Sequence, residues 1–240
     1  MTFQEAKRRI YRHLKYALVR PKPPGAPFVF NAPVVVVGSA PVSNKPQGFD
    51  EGFTIITVNG SQCALEQWGV ERPQITFMQF NQIRGTNTNA VEVRRVLNGK
   101  RTGDLYIFLW REGRVALEQG LAAFNYSYDK LHLVNRYQRM ALLGRLCGFK
   151  SLEMAAEDKC SNGINAVLFA LYHKAPSVIL TGINPTSTGH AYNREGLPRM
   201  HQNMDMRVLQ RLLSDKHPVF TADPEVSAST GLPLWTGQHP

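Results

Sequence analysis

Short apolar runs alternate with helical patterns along most of the chain. Val34 to Val37, Phe53 to Val58, Gln74 to Phe80, Asp104 to Trp110, Leu131 to Val134, Ser177 to Thr181 and Pro218 to Thr221 have the length and β-branched or aromatic content of strands. Between many of them, Ser61 to Trp68, Ala90 to Leu97, Arg136 to Cys147, Asn162 to His173 and His201 to Leu213 carry apolar residues at helical spacing. This alternation predicts an α/β fold: a doubly wound, mostly parallel sheet with helices on both faces. The unbroken Val34–Val37 run suits a strand buried on both sides. Asn81 to Asn89 and Asn125 to Lys130 read as polar surface loops, and no second hydrophobic unit follows Thr221.

The N-terminus follows a different pattern. From Phe3 to Arg20, the residues Phe3, Ala6, Ile10, Leu14, Ala17 and Leu18 recur at helical spacing, and Lys7, Arg8, Arg9, Arg12, Lys15 and Arg20 supply cations. A basic amphipathic helix is expected, followed by a break at Pro21, Pro23, Pro24 and Pro27 that sets it apart as an arm. The division is therefore residues 1–27, a basic helix and Pro-rich linker, and residues 28–240, the α/β unit. Such a helix suits an anionic membrane surface through residues 1–20, or equally a core-packed helix with a solvated basic face.

The totals narrow the class. A hydrophobic content of 43% in 240 residues allows a large core. The net charge of +10 points to an anionic partner, a phosphorylated substrate or an anionic surface among them. Cys63, Cys147 and Cys160 are an odd number without CxxC spacing, so neither a disulfide framework nor a zinc site is indicated. No apolar run approaches the roughly 20 residues of a membrane span, and the N-terminus lacks a signal peptide's apolar core. The expected location is cytoplasmic, with a peripheral place at the cytoplasmic face of the inner membrane left open. Aromatics are not interleaved with cations along one element, so no nucleic acid is expected as partner; a homo-oligomer is compatible.

Polar residues gather where strands end and helices begin, which is where open α/β sheets bind ligands. After the first strand stands Gly38-Ser39-Ala40-Pro41-Val42-Ser43-Asn44; Gly38 permits a sharp turn, and Ser39, Ser43 and Asn44 offer hydrogen bonds to a phosphate or sugar. This is neither the GxGxxG fingerprint nor a Walker loop. Asn59 ends the second strand, and Asn59 or Ser61 can equally serve as a helix cap. In Lys159-Cys160-Ser161-Asn162-Gly163, Ser161 or Asn162 can cap the next helix while its first N–H groups and Lys159 face an anion. Asn184 closes the Val178–Asn184 stretch, and His190, Tyr192 and His201 lie beyond it. A histidine at a helix N-terminus is kept neutral by the dipole and so available as a base, and Asp205, one turn on, is placed to orient the ring. No Asp-x-Asp and no metal-ligand spacing occurs, so no metal or other cofactor is expected and a departing phosphate must be stabilised by Lys, Arg or Tyr donors.

These residues resemble the bacterial CMP-sialic-acid-dependent sialyltransferases with a single Rossmann-like domain. The resemblance rests on Val34 to Ser43, Asn59, Ser161-Asn162-Gly163, Thr181-Gly182-Ile183-Asn184, His201 to Asp205, and Asp223-Pro224. It implies a Rossmann-like, GT-A-like variant of the fold. It implies further that Gly38, Ser39, Ala40, Ser43, Asn59, Ser161, Asn162, Gly163 and Asn184 hold the nucleotide of a CMP-sugar donor. His201 is then the general base, and Tyr192 and Lys159, the latter at the place of a family arginine, stabilise the phosphate. The implied activity is metal-independent, inverting transfer of an acidic ulosonic sugar, of sialic acid or Kdo type, to a glycan or glycolipid acceptor such as those of lipopolysaccharide or capsule. Ser39 and Ala40 stand where the family has Asn and a second Gly, and Gln79 to Ser151 matches nothing in it. Two alternatives stay open: a pterin-type pyrophosphokinase-like enzyme, which would call for ATP and magnesium, and a non-catalytic module that binds anionic glycans or nucleic acid.

Overall fold

The computed structural model describes residues 2–193 and 200–237. Among these, β1 (Val34–Val37), β2 (Thr54–Val58), β3 (Ile75–Gln79), β4 (Arg101–Phe108), β5 (Ser127–Val134), β6 (Val178–Thr181) and β7 (Val219–Thr221) form one sheet. Its order is β5-β4-β3-β2-β1-β6-β7, and every neighbouring pair is parallel. The sheet is thus wholly parallel among the described residues, and the fold is Rossmann-like. The chain runs outward from β1 to β5, then returns to place β6 on β1's other side. The gap beyond the C-terminal ends of β1 and β6 is therefore the topological switch point, the usual ligand crevice of such sheets.

Alternating side chains of each strand feed opposite layers. Val34, Val36, Ile56, Val58 and Phe77 pack against α5 (Arg136–Cys147), α6 (Asn162–Tyr172) and α7 (Gln202–Ser214). On the other face, Val35, Val37, Ile55 and Ile179 meet Leu65 and Trp68 of the 3₁₀ run Asn59–Trp68 and Trp235 from the C-terminal segment. Further along that face, Met78, Leu105 and Ile107 meet α3 (Thr88–Leu97) and α4 (Arg114–Ala122). Central α6 is buried from Gly163 through Leu171 and lies against β1, β2, β3 and β6. A helix apolar on all sides has to be buried so, and it fixes the height at which its N-terminus meets the sheet.

The structure departs from the sequence pattern in several places. The segment from Asn125 to Lys130, expected as a loop, enters β5 at Ser127, where Arg101 faces Ser127 and Thr102 faces Tyr128. β5 is an edge strand with mostly solvent-facing side chains, so its polar half carries no apolar alternation. The expected loop from Asn81 to Asn89 holds a short helix, α2 (Asn81–Arg84), and the start of α3. Helix α4 and α8 (Pro224–Thr230) were not signalled by periodicity. Ser61 caps the 3₁₀ run Asn59–Trp68 from within rather than from before it: its hydroxyl accepts from the N–H of the N-cap residue Val58 at 2.9 Å and donates to the Val37 carbonyl at 2.6 Å, tying β1 to β2.

The N-terminal helix forms as expected, α1 (Phe3–Val19), with a reciprocal cap between Thr2 and Glu5. It is not a detached arm. Arg12 is buried and donates to the carbonyls of Leu152 and Glu153. The Pro-rich segment is also held: His173 Nε2 donates to the Pro24 carbonyl at 2.9 Å and the Tyr106 hydroxyl to that of Gly25 at 2.7 Å. A backbone rich in proline has few donors but keeps its carbonyls, and here the core supplies the partners.

Candidate functional site

The crevice wall begins with a close contact between the ends of β1 and β6. The Gly38 N–H donates to the Thr181 carbonyl at 2.7 Å and the Ala40 N–H to that of Gly182 at 2.8 Å. A Cβ on Gly38 would lie 2.2 Å from the Gly182 oxygen and 2.4 Å from the Ile183 side chain. Gly38 is therefore required by close approach of backbone, not by the sharp turn its position suggested. Gly182 answers it with a φ of +62°, and a Cβ there would lie 2.8 Å from the Gly38 oxygen and 3.1 Å from the Ser43 Cβ.

Behind this contact, Asp223 collects four donors: the Asn44 N–H and side-chain amide at 2.9 Å each, the Thr181 hydroxyl at 3.1 Å, and the Gly182 N–H at 2.7 Å. Burial raises the Asp223 carboxyl pKa, and these donors act against that shift. In the sequence Asp223 stands out only as part of the Asp223-Pro224 pair, with no role at the site. Its signal was available, since it follows β7 at the same sheet edge as Asn59 follows β2.

Ser39 takes its partners from the segment after β6. Its Oγ lies 2.9 Å from His190 Nδ1, and its carbonyl accepts from the Ala191 N–H at 3.0 Å. The His190 and Tyr192 rings stack nearly parallel with centroids 5.3 Å apart. Tyr192 in turn covers Gly60, where a Cβ would meet its ring at 2.8 Å. The segment after β6 thus folds back over the ends of β1 and β2. Asn184 is buried, and its Oδ1 accepts from the N–H and hydroxyl of Thr186.

The second half of the site centres on the N-termini of α6 and α7. Ser161 is the N-cap of α6 and accepts from the Ile164 N–H at 3.2 Å. Asn162 and Gly163 follow at the open end of the helix, where the dipole is positive. Asn162 donates to Asn59 Oδ1 at 3.2 Å, and Asn59, held at a φ of +50°, also accepts from the Gln79 N–H. Gly163 packs against Ile183, the residue that also faces Gly38, so one side chain separates the two halves. The Ser161 N–H donates to Asp205 Oδ1 at 2.8 Å, which joins the two helix starts.

His201 is the N-cap residue of α7. Its Nδ1 lies 2.8 Å from the Ala156 carbonyl. A carbonyl only accepts, so Nδ1 carries the hydrogen and the neutral ring holds its lone pair on Nε2. This bond with Ala156 fixes the ring, whereas Asp205 Oδ1 receives the Ser161 N–H. Burial lowers the His201 pKa, the Lys159 and Arg139 cations lower it further, and the Ala156 bond and Glu153 act the other way. The Lys159 N–H shares the Ala156 carbonyl, at 3.1 Å, which brings Lys159 and His201 to one peptide. Upstream, the buried Glu153 carboxylate pairs with Arg139 and Arg136, fixing the segment that carries Ala156. Ala156 and Glu153 had no signal in sequence, because a carbonyl acceptor is common to all residues.

The sequence candidates therefore fall into two adjoining groups. Gly38, Ser39, Ala40, Ser43, Asn184, His190 and Tyr192 lie at the β1/β6 junction, and Asn59, Lys159, Ser161, Asn162, Gly163, His201 and Asp205 lie at the helix starts. A cavity of about 450 Å³ opens beside the first group, lined by Ala40, Val42, Asn44, Asn184, Thr188 and Asp223. Neither His201 nor Lys159 lines it, so this cavity and the titratable chemistry are neighbours rather than one pocket. Burial pushes Cys147 up to about 12 and Cys160 well above its usual value, so neither is a ready nucleophile. No group of three or more His, Cys, Asp or Glu able to hold a metal ion stands among the described residues.

No protein-family model matches the sequence, and a search of curated proteins finds no match. Solved structures do match. The sialyltransferase CstII from Campylobacter jejuni in complex with a substrate analogue, CMP-3FNeuAc, has a TM-score of 0.57 at 13% identity, over 87% of this chain and 88% of that one. Monofunctional alpha-2,3-sialyltransferase Cst-I from Campylobacter jejuni gives 0.58 at 12% identity, over 92% and 86%. The sialyltransferase CST-II in complex with trisaccharide acceptor and CMP gives 0.55 at 13%, over 87% and 88%. At such identities the likeness is one of fold, and over most of its length this chain has a sialyltransferase-like fold.

Proposed function

We propose that the protein is a glycosyltransferase that moves an acidic ulosonic sugar, of sialic acid or Kdo type, from a CMP donor to a hydroxyl of a glycan or glycolipid. The observation that carries this reading is His201, whose Nδ1 is committed to the Ala156 carbonyl while Nε2 keeps its lone pair, beside Lys159 and the open start of α6. In the proposed step, Nε2 takes the proton of the acceptor hydroxyl as its oxygen attacks the anomeric carbon. The bond from that carbon to the phosphate oxygen breaks, and its electron pair leaves with CMP. Lys159, Tyr192 and the N–H groups of Asn162 and Gly163 stabilise the added negative charge. Attack from the face opposite the phosphate inverts the anomeric configuration. Charge stabilisation by these donors requires no metal ion in this scheme. The fold shared with CstII in complex with CMP-3FNeuAc supports the choice of donor class.

The test is a thermal-shift comparison of CMP, UMP, AMP and GMP, with and without magnesium. A ligand at 100 times its dissociation constant adds about 2.7 kcal/mol, or roughly 5 to 11 °C for a chain of this size. Stabilisation by CMP without magnesium is the expected result. Stabilisation only by purine nucleotides with magnesium would replace this reading with the pyrophosphokinase-like one.

A further inference from the structure

An amphipathic helix on a globular protein ordinarily turns its apolar stripe to the core. Helix α1 does the reverse. Its buried contact is Arg12, bonded to the Leu152 and Glu153 carbonyls, and beside it Lys15 lies over the Tyr137 ring at 5.5 Å. Its apolar stripe faces solvent: Phe3 is 81% exposed, Ile10 61%, Leu14 55% and Leu18 83%. These four recur at seven- and four-residue intervals and so share one side of the helix. Arg8 and Lys15 flank that side on one edge and His13 and Arg20 on the other, while Lys7 lies within it; all five are exposed. Arg9 turns elsewhere, into a crevice of about 340 Å³ that also holds Lys150 and Arg207.

From this arrangement we propose that α1 is a membrane-docking surface whose occupant is an anionic lipid bilayer, with the helix lying in the interface. An apolar stripe edged by cations fits acyl chains below and anionic headgroups at the sides. A second copy fits poorly: pairing two α1 faces would bring like cations together, since Phe3 to Arg20 contains six Lys and Arg residues against Glu5 alone. No described helix is long and apolar enough to cross a membrane, so docking rather than spanning is the geometry on offer. The helix is also hydrogen-bonded to the segment that leads to the site. Arg12 holds the Leu152–Glu153 backbone, which continues to Ala156, the residue that orients His201. Docking would therefore set the crevice at a fixed height above the lipid, whichever group is transferred.

The experiment is co-sedimentation of the full chain with phosphatidylcholine vesicles, with and without phosphatidylglycerol, across a salt series. Binding is expected only with phosphatidylglycerol, weakening as salt rises. Ile10→Asp/Leu14→Asp should reduce it at least about tenfold, and Lys7→Glu/Arg8→Glu should reduce it and flatten the salt dependence. Both pairs are exposed, so circular dichroism and melting temperature should match the parent protein. Equal binding by Ile10→Asp/Leu14→Asp, or no binding by the parent, overturns the proposal. So does a parent protein that is a dimer, becomes monomeric in that variant, and pellets with no vesicle.

Discussion

The two sides of the crevice are built on opposite plans. At the β1/β6 junction Asp223 is bonded within the protein through both oxygens, Oδ1 accepting from Asn44 and Thr181 and Oδ2 from Gly182, and Gly38 and Gly182 touch backbone to backbone. At the helix starts, His201 commits one ring nitrogen and keeps the other, in a place where burial and the Lys159 and Arg139 cations disfavour its charged form. The difference separates framework from chemistry. Groups that spend their hydrogen bonds on backbone and neighbouring side chains set positions, and a site capable of reaction has to hold something back.

Mutations on the two sides should therefore fail in different ways. His201→Ala should cost the most, lowering transfer about 10²- to 10⁴-fold with CMP affinity and melting temperature close to those of the parent. Calorimetry and steady-state kinetics on one preparation would separate these effects, and normal turnover would remove His201 from the mechanism. The same residue predicts a pH profile. Its pKa lies below the ordinary 6.5, so the acid limb of kcat/KM should fall below pH 6.5. The linked stability has the same sign: the neutral ring contributes above pH 6.5, and the contribution is lost as pH falls through the lowered value.

Across the crevice, Gly38→Ala should destabilise the fold itself by about 3 kcal/mol, or roughly 6 to 12 °C in Tm, because a carbonyl and Ile183 already occupy the space. Denaturant unfolding would measure it, and a melting temperature equal to the parent's would show that the junction can yield. The smallest effect is expected from Lys159→Ala. It should weaken CMP binding about tenfold, near 1.4 kcal/mol, without unfolding anything. Unchanged affinity by calorimetry would take Lys159 away from the phosphate and leave the helix start to hold it alone.

Legibility in the sequence followed burial. β1, β2 and β6 were plain because strands covered on both faces are apolar at nearly every position. β5 was half hidden because an edge strand exposes most of its side chains. Helix α4 carries Gly120, a poor helix former, where a Cβ would lie 2.4 Å from Ile83; packing chose the glycine and blurred the helical pattern. The site candidates were visible as polar residues at element ends. Their grouping was not, since Asn59 and Asn162 are far apart in sequence yet share a hydrogen bond.

By itself the sequence determined the alternation of strands and helices, the parallel sheet, the basic helix at the N-terminus, and the residue types at the sheet's C-terminal edge. Periodicity and end chemistry are local, and a chain carries them before it folds. The tertiary structure alone decided three things: that His201 is oriented through a backbone carbonyl, that Asp223 ties β1, β6 and β7 together, and that α1 turns its apolar stripe outward. Each depends on backbone groups or solvent exposure, and neither is written in side-chain identity.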